Sequence, residues 1–465
     1  MYYFVFKEKT KSQNVLLLVA NYFFYAWVDW RLLPLLIVST LIFYGLGIAI
    51  FNTNNEKRKS LFCTLGVVFG LGVLGYFKYV NFFITSLSDL FESLGLHTNW
   101  HTFKILVPIG ISFYTFRLLS YVLDIHREEC EPTRNFVAFA TYVAFFPCIL
   151  SGPIDRPNKL IPQIETKRIF NYSLATDGLR QILWGLFKKM VIADNCAGVV
   201  DRIWENYTDH SGSTLALGAI LCSIQVYADF SGYTDMAIGI GKLLGFRLTK
   251  NFNYPFFSKN IADYWKKWHI SLTSWLTDYV FTPLNFTFRK LKKWGVILAV
   301  LVNFTLVGLW HGANWNFVAF GVFHGLLYIP LILSGVLSKE VKIETGKWGL
   351  PQLKDFCQML LTFFLVVIGG IIFKSGSIAE AWHFVARLFS FPFFSIPVGL
   401  PRVTLYASVF SVVLIIVEWI GRHNDYTLER IPIKSGLLRL VLYAIIVGTI
   451  IVYGNKGGAF IYFQF

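Results

Sequence analysis

Apolar runs close to twenty residues long recur along the chain, separated by short polar or basic turns. An α-helix needs about 20 mainly apolar residues to cross a hydrocarbon layer of roughly 30 Å. Such runs lie near 12–28, 32–51, 61–80, 104–123, 135–151, 174–200, 213–230, 295–310, 316–335, 354–373, 402–420 and 436–453. The pattern predicts an all-α polytopic membrane protein with about ten to twelve spanning helices. No internal repeat and no low-complexity linker divides the sequence, so residues 1–465 read as one domain. The stretches 85–103 and 337–353 are more polar and read as loops with short helices. The opening Met1–Phe6 is too short for the apolar core of a signal peptide and reads as the remnant of a longer opening helix, or as an alternative start.

Composition agrees with this pattern. The chain is 55% hydrophobic, 18% aromatic and only 15% charged, against roughly 25% charged residues in a soluble protein. The net charge of +15 could suit a nucleic-acid binder. Here the basic residues instead form short runs between apolar segments, at Lys7–Lys11, Lys57–Lys59, Lys188–Lys189 and Arg289–Lys293. That distribution fits cytoplasmic loops obeying the positive-inside bias and predicts no nucleic-acid partner. Two expected spans separate Lys7–Lys11 from Lys57–Lys59, so both basic loops agree on one orientation. The same charge would also attract an anionic donor from the cytoplasm. The six cysteines form no CxxC pair and no zinc spacing, which predicts neither a disulfide nor a structural metal.

Candidate chemistry concentrates between about 225 and 325. There Asp229, Asp235, Asp263, Lys266, Lys267, His269, Asp278, Asn303, His311 and His324 interrupt apolar and aromatic sequence. Ionisable groups at membrane depth are costly and face a cavity or a partner. Asp263–Tyr279 reads as one helix, with Asp263 and Lys267 at the i,i+4 spacing of an ion pair. Tyr264, Trp268, Trp275 and Tyr279 fall on one face, and His269 lies off that stripe. Such a helix is too charged to span; it suits the interface, or a dip inward where protein shields it. Spacing alone explains His269 equally well as an interfacial histidine.

His311 ends the apolar run Gly295–Trp310. Those residues cover only about 24 Å as a helix, less than a hydrocarbon core, and the next apolar run starts near Asn316. The turn at His311 therefore reads either as lying below the membrane surface beside a cavity or as an interfacial helix cap. His324 sits inside the following apolar helix, where packing is the simpler reading. An imidazole can act as general base near neutral pH. Two of them beside one tunnel would suit deprotonation of a hydroxyl as it attacks a thioester. No G-x-S-x-G elbow or Walker motif is present, and Gly239–Gly241 and Gly66–Gly75 lie in apolar runs unlike a dinucleotide site.

At these residues the chain resembles the membrane-bound O-acyltransferase family, and within it the alginate-type branch. The motifs are Tyr264-Trp-Lys-Lys-Trp-His-Ile-Ser-Leu272, and Leu309-Trp-His-Gly-Ala313 with His324-Gly325 downstream. Further matches are Val107–Tyr114, Ser151-Gly-Pro-Ile-Asp-Arg156, Asp229–Gly239 and the closing Phe460–Phe465, so the likeness covers nearly the whole chain. It implies a ring of tilted helices around a central tunnel, with a cytoplasmic acyl thioester entering from one side and the acceptor from the other. It implies His311 as main catalytic histidine and His269 as the second. Arg156, Trp265 and Trp310 follow as candidate substrate-binding residues, Arg156 reading equally as an interfacial arginine. No bound cofactor is implied; the co-substrate expected is acetyl-CoA. The implied partners are membrane lipids, a polysaccharide acceptor and an SGNH-type extracytoplasmic acetyltransferase, at a bacterial cytoplasmic (inner) membrane. Thr277, Asn285-Phe286 and Arg117 depart from the family's usual Arg, Gly-Gly and Gln, at positions bearing on acceptor and partner. Two alternatives stand beside O-acetylation: D-alanyl transfer from a carrier protein to teichoic acid, and a transporter or channel lined by the same polar residues.

Overall fold

The computed structural model describes all residues except 1, 8, 98, 339–340, 347–348, 391–399, 432, 456–459 and 461–465. Most of the closing motif, and Met1, therefore lie outside the described residues. Among those described, the chain is helical and its β-pairing is one isolated bridge, Thr345 with Pro351.

Among the described residues, eight helical runs are long and apolar enough to cross a membrane: Thr10–Asn52, Glu56–Ser93, Gly212–Leu243, Lys293–His311, Trp315–Leu333, Leu353–Lys374, Val403–Gly421 and Gly436–Tyr453. The chain is thus a multi-pass, all-α membrane protein. The runs expected near 104–123, 135–151 and 174–200 take other forms. The first has a helix only over Ile111–His126. The second breaks at Phe145 into Phe136–Ala144 and Phe146–Ile149, with Pro147 in the second piece. The third continues from Tyr172–Leu186 through a π-helical stretch, Phe187–Ala193, into Asp194–Glu205.

That third run corrects one sequence expectation. Lys188 and Lys189 are not in a cytoplasmic loop but in the π-helical stretch, paired with carboxylates. Lys188 Nζ lies 2.6 Å from Asp235 and donates to Ser231 Oγ at 3.0 Å. Lys189 Nζ lies 2.8 Å from Asp194 and 2.7 Å from Asp229. Isolated buried charges are prohibitively costly, so these lysines and the aspartates of the Gly212–Leu243 helix are placed as partners.

The chain forms two compact units, residues 1–179 with 237–249, and residues 180–236 with 250–465. In the first, Thr10–Asp29 and Leu33–Asn52 are joined by a tight turn at Trp30–Leu32 and followed by Glu56–Leu74. Leu36, Phe43, Tyr121, Phe139 and Tyr142 are buried, while Val19, Leu41, Leu65 and Val68 are exposed as a lipid-facing surface would be. The fully buried guanidinium of Arg117 donates to the carbonyls of Tyr142, Val143 and Pro153, and so braces the loop Ser151–Arg156.

In the second unit, Lys293–His311 and Trp315–Leu333 form a helical hairpin. Its helices touch backbone to backbone at two glycines. A side chain on Gly308 would strike the Phe317 carbonyl, and one on Gly321 the Phe304 carbonyl. Small residues at a crossing let membrane helices approach closely when no hydrophobic effect drives them together. The helix Leu353–Lys374 lies against this hairpin through Asn316, whose Nδ2 donates to the Ser375 carbonyl at 2.7 Å. Tyr227 donates its hydroxyl to both oxygens of the buried Glu418, at 2.9 and 2.8 Å.

Candidate active site

The expected helix Asp263–Tyr279 is not continuous. Ile261–Lys267 ends at Trp268, and a new helix begins at Ile270. His269 stands at the break in a left-handed conformation, φ 44° and ψ 52°. Neither glycine nor proline marks this position. Tertiary hydrogen bonds hold it: the amide of Ile270 donates to the Asn251 carbonyl at 2.9 Å, and that of Ser271 to Asn251 Oδ1 at 3.1 Å. Asn251 thus satisfies amides that a helix start leaves orphaned. The amide of Asn253 donates to the Lys267 carbonyl at 3.0 Å and ties down the other side of the break. A left-handed non-glycine residue is strained, and such strain concentrates at functional sites.

The break turns His269 inward. Its side chain is wholly buried, with the Phe230 ring 4.6 Å away edge-on and the Trp310 ring at 5.3 Å. His311 is the last residue of Lys293–His311 and is 4% exposed. Its ring centroid lies 6.4 Å from that of His269, with Trp310 against both imidazoles and Phe373 at 5.2 Å. The fold therefore gathers the two histidines, 42 positions apart in sequence, into one aromatic enclosure. Burial, and after it the nearby His311, hold the His269 imidazole well below its usual value of 6.5.

His311 also lines a cavity of about 50 Å³ with Tyr264, Trp268, Phe320, His324 and Phe373. Such a space accepts a few water-sized groups. His324 was the weakest of the three histidines by sequence, yet the structure brings it to this cavity. Trp265 is buried one helical turn before His269, and its Nε1 donates to His324 Nδ1 at 3.2 Å. Trp310 packs on the imidazole pair. Arg156 belongs to the first unit, where its guanidinium reaches Ser120 Oγ at 3.5 Å. Asp263 and Lys267 form the expected ion pair, at 2.9 Å.

Sequence reasoning passed over Asn251, Phe320 and Phe373. The two phenylalanines look like any others in an apolar run, and nothing local marks Asn251 as a capping group for a distant helix. Phe230 lies within the quoted Asp229–Gly239 motif, so a signal for it existed. Among the described residues no cluster of three or more His, Cys, Asp or Glu could hold a metal ion.

The family model described as "MBOAT, membrane-bound O-acyltransferase family" matches residues 132–348, which include His269, His311 and His324. A protein of Azotobacter vinelandii named "Probable alginate O-acetylase AlgI" is 38% identical, over 82% of this chain and 73% of its own length. "Peptidoglycan O-acetyltransferase" of Helicobacter pylori is 33% identical, over 82% of this chain and 75% of its own. "Teichoic acid D-alanyltransferase" of Bacillus subtilis is 29% identical, over 57% and 68%.

Proposed function

From the premise that the chain belongs to the membrane-bound O-acyltransferase family and is an acyltransferase, we propose that it passes an acetyl group from a cytoplasmic thioester, acetyl-CoA, across the membrane for O-acetylation of an extracytoplasmic polysaccharide. The observation that carries this reading is the pair of buried imidazoles, 6.4 Å apart, beside a small cavity. In the proposed step an acceptor hydroxyl oxygen attacks the thioester carbonyl while His311 takes its proton. The new C–O bond forms, the C–S bond breaks, and the proton passes to the departing sulfur as a thiol. His269 shares the enclosure. Because each positive ring disfavours protonation of the other, the pair carries at most one positive charge through the cycle.

Several features support the details. A cavity of about 50 Å³ suits a two-carbon acyl group rather than a long chain. Relatives at 38% and 33% identity carry names that specify O-acetyl transfer to alginate and to peptidoglycan. Release on the far face would hand the acetyl group to an SGNH-type partner enzyme, at a bacterial cytoplasmic membrane. Trp310 would wall the acyl site.

The test uses purified protein in lipid nanodiscs with radiolabelled acetyl-CoA. His311→Ala should lower thioester consumption on the order of 10²–10⁴-fold, the usual contribution of a general base. Undiminished turnover by a folded His311→Ala protein would remove this residue from the chemistry. Consumption of a D-alanyl carrier thioester in place of acetyl-CoA would move the assignment to D-alanylation. Solute movement without thioester loss would make the protein a transporter.

A further inference from the structure

His324 carries a chemical consequence of its hydrogen bond to Trp265. An indole Nε1 can only donate. The His324 Nδ1 that accepts from it at 3.2 Å must therefore present a lone pair. A ring with a bare Nδ1 is neutral and holds its proton on Nε2. The bond from Trp265 thus selects one tautomer, as second-ring hydrogen bonds select tautomers elsewhere.

The Nε2 edge faces a glycine. It lies against Gly369 of the helix Leu353–Lys374, where even a Cβ would come within 2.5 Å of Nε2. The neighbouring Gly370, with Val366 and Phe373, lines the same cavity as His324 and His311. Phe320 spans the interval, its ring 4.7 Å from His324 and 6.0 Å from His311. The cavity thus has a candidate base on one wall and a fixed N–H donor on another.

We propose that His324, locked as its Nε2–H tautomer by Trp265, donates a hydrogen bond to the carbonyl oxygen of the thioester and stabilises the oxyanion formed when the acceptor hydroxyl attacks. This rests on the acyl-transfer reading above. In that step the hydroxyl proton goes to His311, the carbonyl π pair moves onto oxygen and is held by the Nε2–H bond, and the pair returns as the C–S bond breaks. His324 keeps its proton throughout. Trp265 acts as a positioning residue, through the tautomer it imposes.

The experiment has two arms. Nitrogen-15 NMR of histidine-labelled protein should show His324 as the neutral Nε2–H tautomer, and Trp265→Phe should shift that signal toward a tautomer mixture. An Nδ1–H or charged ring in the wild type overturns the proposal. In the kinetic arm with acetyl-CoA, His324→Leu should lower kcat on the order of 10²–10³-fold, the usual effect of losing one oxyanion donor. KM should change less than about threefold, because the bond strengthens mainly in the transition state. His324→Gln, which keeps an N–H donor, should recover at least about tenfold of that loss; a purely structural role gives no such split or recovery. Gly369→Ala should resemble His324→Leu. Wild-type protein that consumes acetyl-CoA beside a His324→Leu protein of equal kcat sinks the His324 assignment alone. Wild-type protein that consumes none sinks the donor assignment, and the role of His324 toward that carbonyl with it.

Discussion

At the scale of single residues, His269 joins two unfavourable conditions, a left-handed backbone and an imidazole with no exposure. Its depressed proton affinity has a measurable consequence. Below the free-imidazole value of 6.5 the unfolded chain takes up a proton that the buried ring refuses. Stability therefore falls with decreasing pH, by up to about 1.4 kcal/mol per pH unit for one such group, until the buried ring itself protonates. Thermal unfolding in detergent between about pH 7.5 and 5 should show this slope. His269→Gln should flatten the slope, while its turnover with acetyl-CoA falls. An unchanged slope would place the ring in contact with water.

At the scale of elements, the break between Ile261–Lys267 and Ile270–Leu276 is decisive, and it is made from outside. Asn251, fully buried, supplies both acceptors for the second helix. Asn251→Ala leaves one buried amide without its acceptor and should cost about 1–3 kcal/mol of stability. It should also lower acyl transfer, because His269 loses its fixed direction. The helical hairpin makes a second demand. Gly321→Val would force the backbones at Phe304 and Gly321 apart, and overpacking of this kind costs typically 1–3 kcal/mol. Since His311 ends one arm of that hairpin, activity should fall with stability. The Lys188–Asp235 pair is the third case. Lys188→Met strands a buried carboxylate, for which about 3–5 kcal/mol is usual. Adding Asp235→Asn should return part of that stability; a double variant as unstable as the sum of the two singles would mean the groups do not interact.

At the scale of the whole molecule, the sequence gives an orientation that can be checked. Thr10–Asp29 and Leu33–Asn52 each extend about 30 Å at helical rise, enough to cross the hydrocarbon core. Lys11 and Lys57 then share one face of the membrane, and the turn at Trp30 lies on the other. With basic loops inside, Trp30→Cys should react with a membrane-impermeant maleimide in intact cells. Lys11→Cys and Lys57→Cys should react only after permeabilisation. Opposite labelling of Lys11→Cys and Lys57→Cys would break the assignment.

Membrane class and helical content were legible in the chain, as were the polar residues that interrupt its apolar runs. Long apolar runs allow few alternatives when every backbone polar group must be satisfied within lipid, and ionisable residues are conspicuous against them. The i,i+4 pair Asp263–Lys267 was legible for the same local reason. Other features belong to contacts between distant segments. Periodicity predicted an unbroken helix through His269 because the groups that interrupt it are on Asn251, outside the window. It assigned Lys188 and Lys189 to a loop because their carboxylates lie in another helix. It could not show the bond from Trp265 to His324, because the indole N–H and the imidazole become neighbours only once their helices are assembled. The chain's local chemistry determined what the protein is made of and where it resides; tertiary packing decided which polar atoms face one another, since a buried donor must find its acceptor wherever the fold provides one.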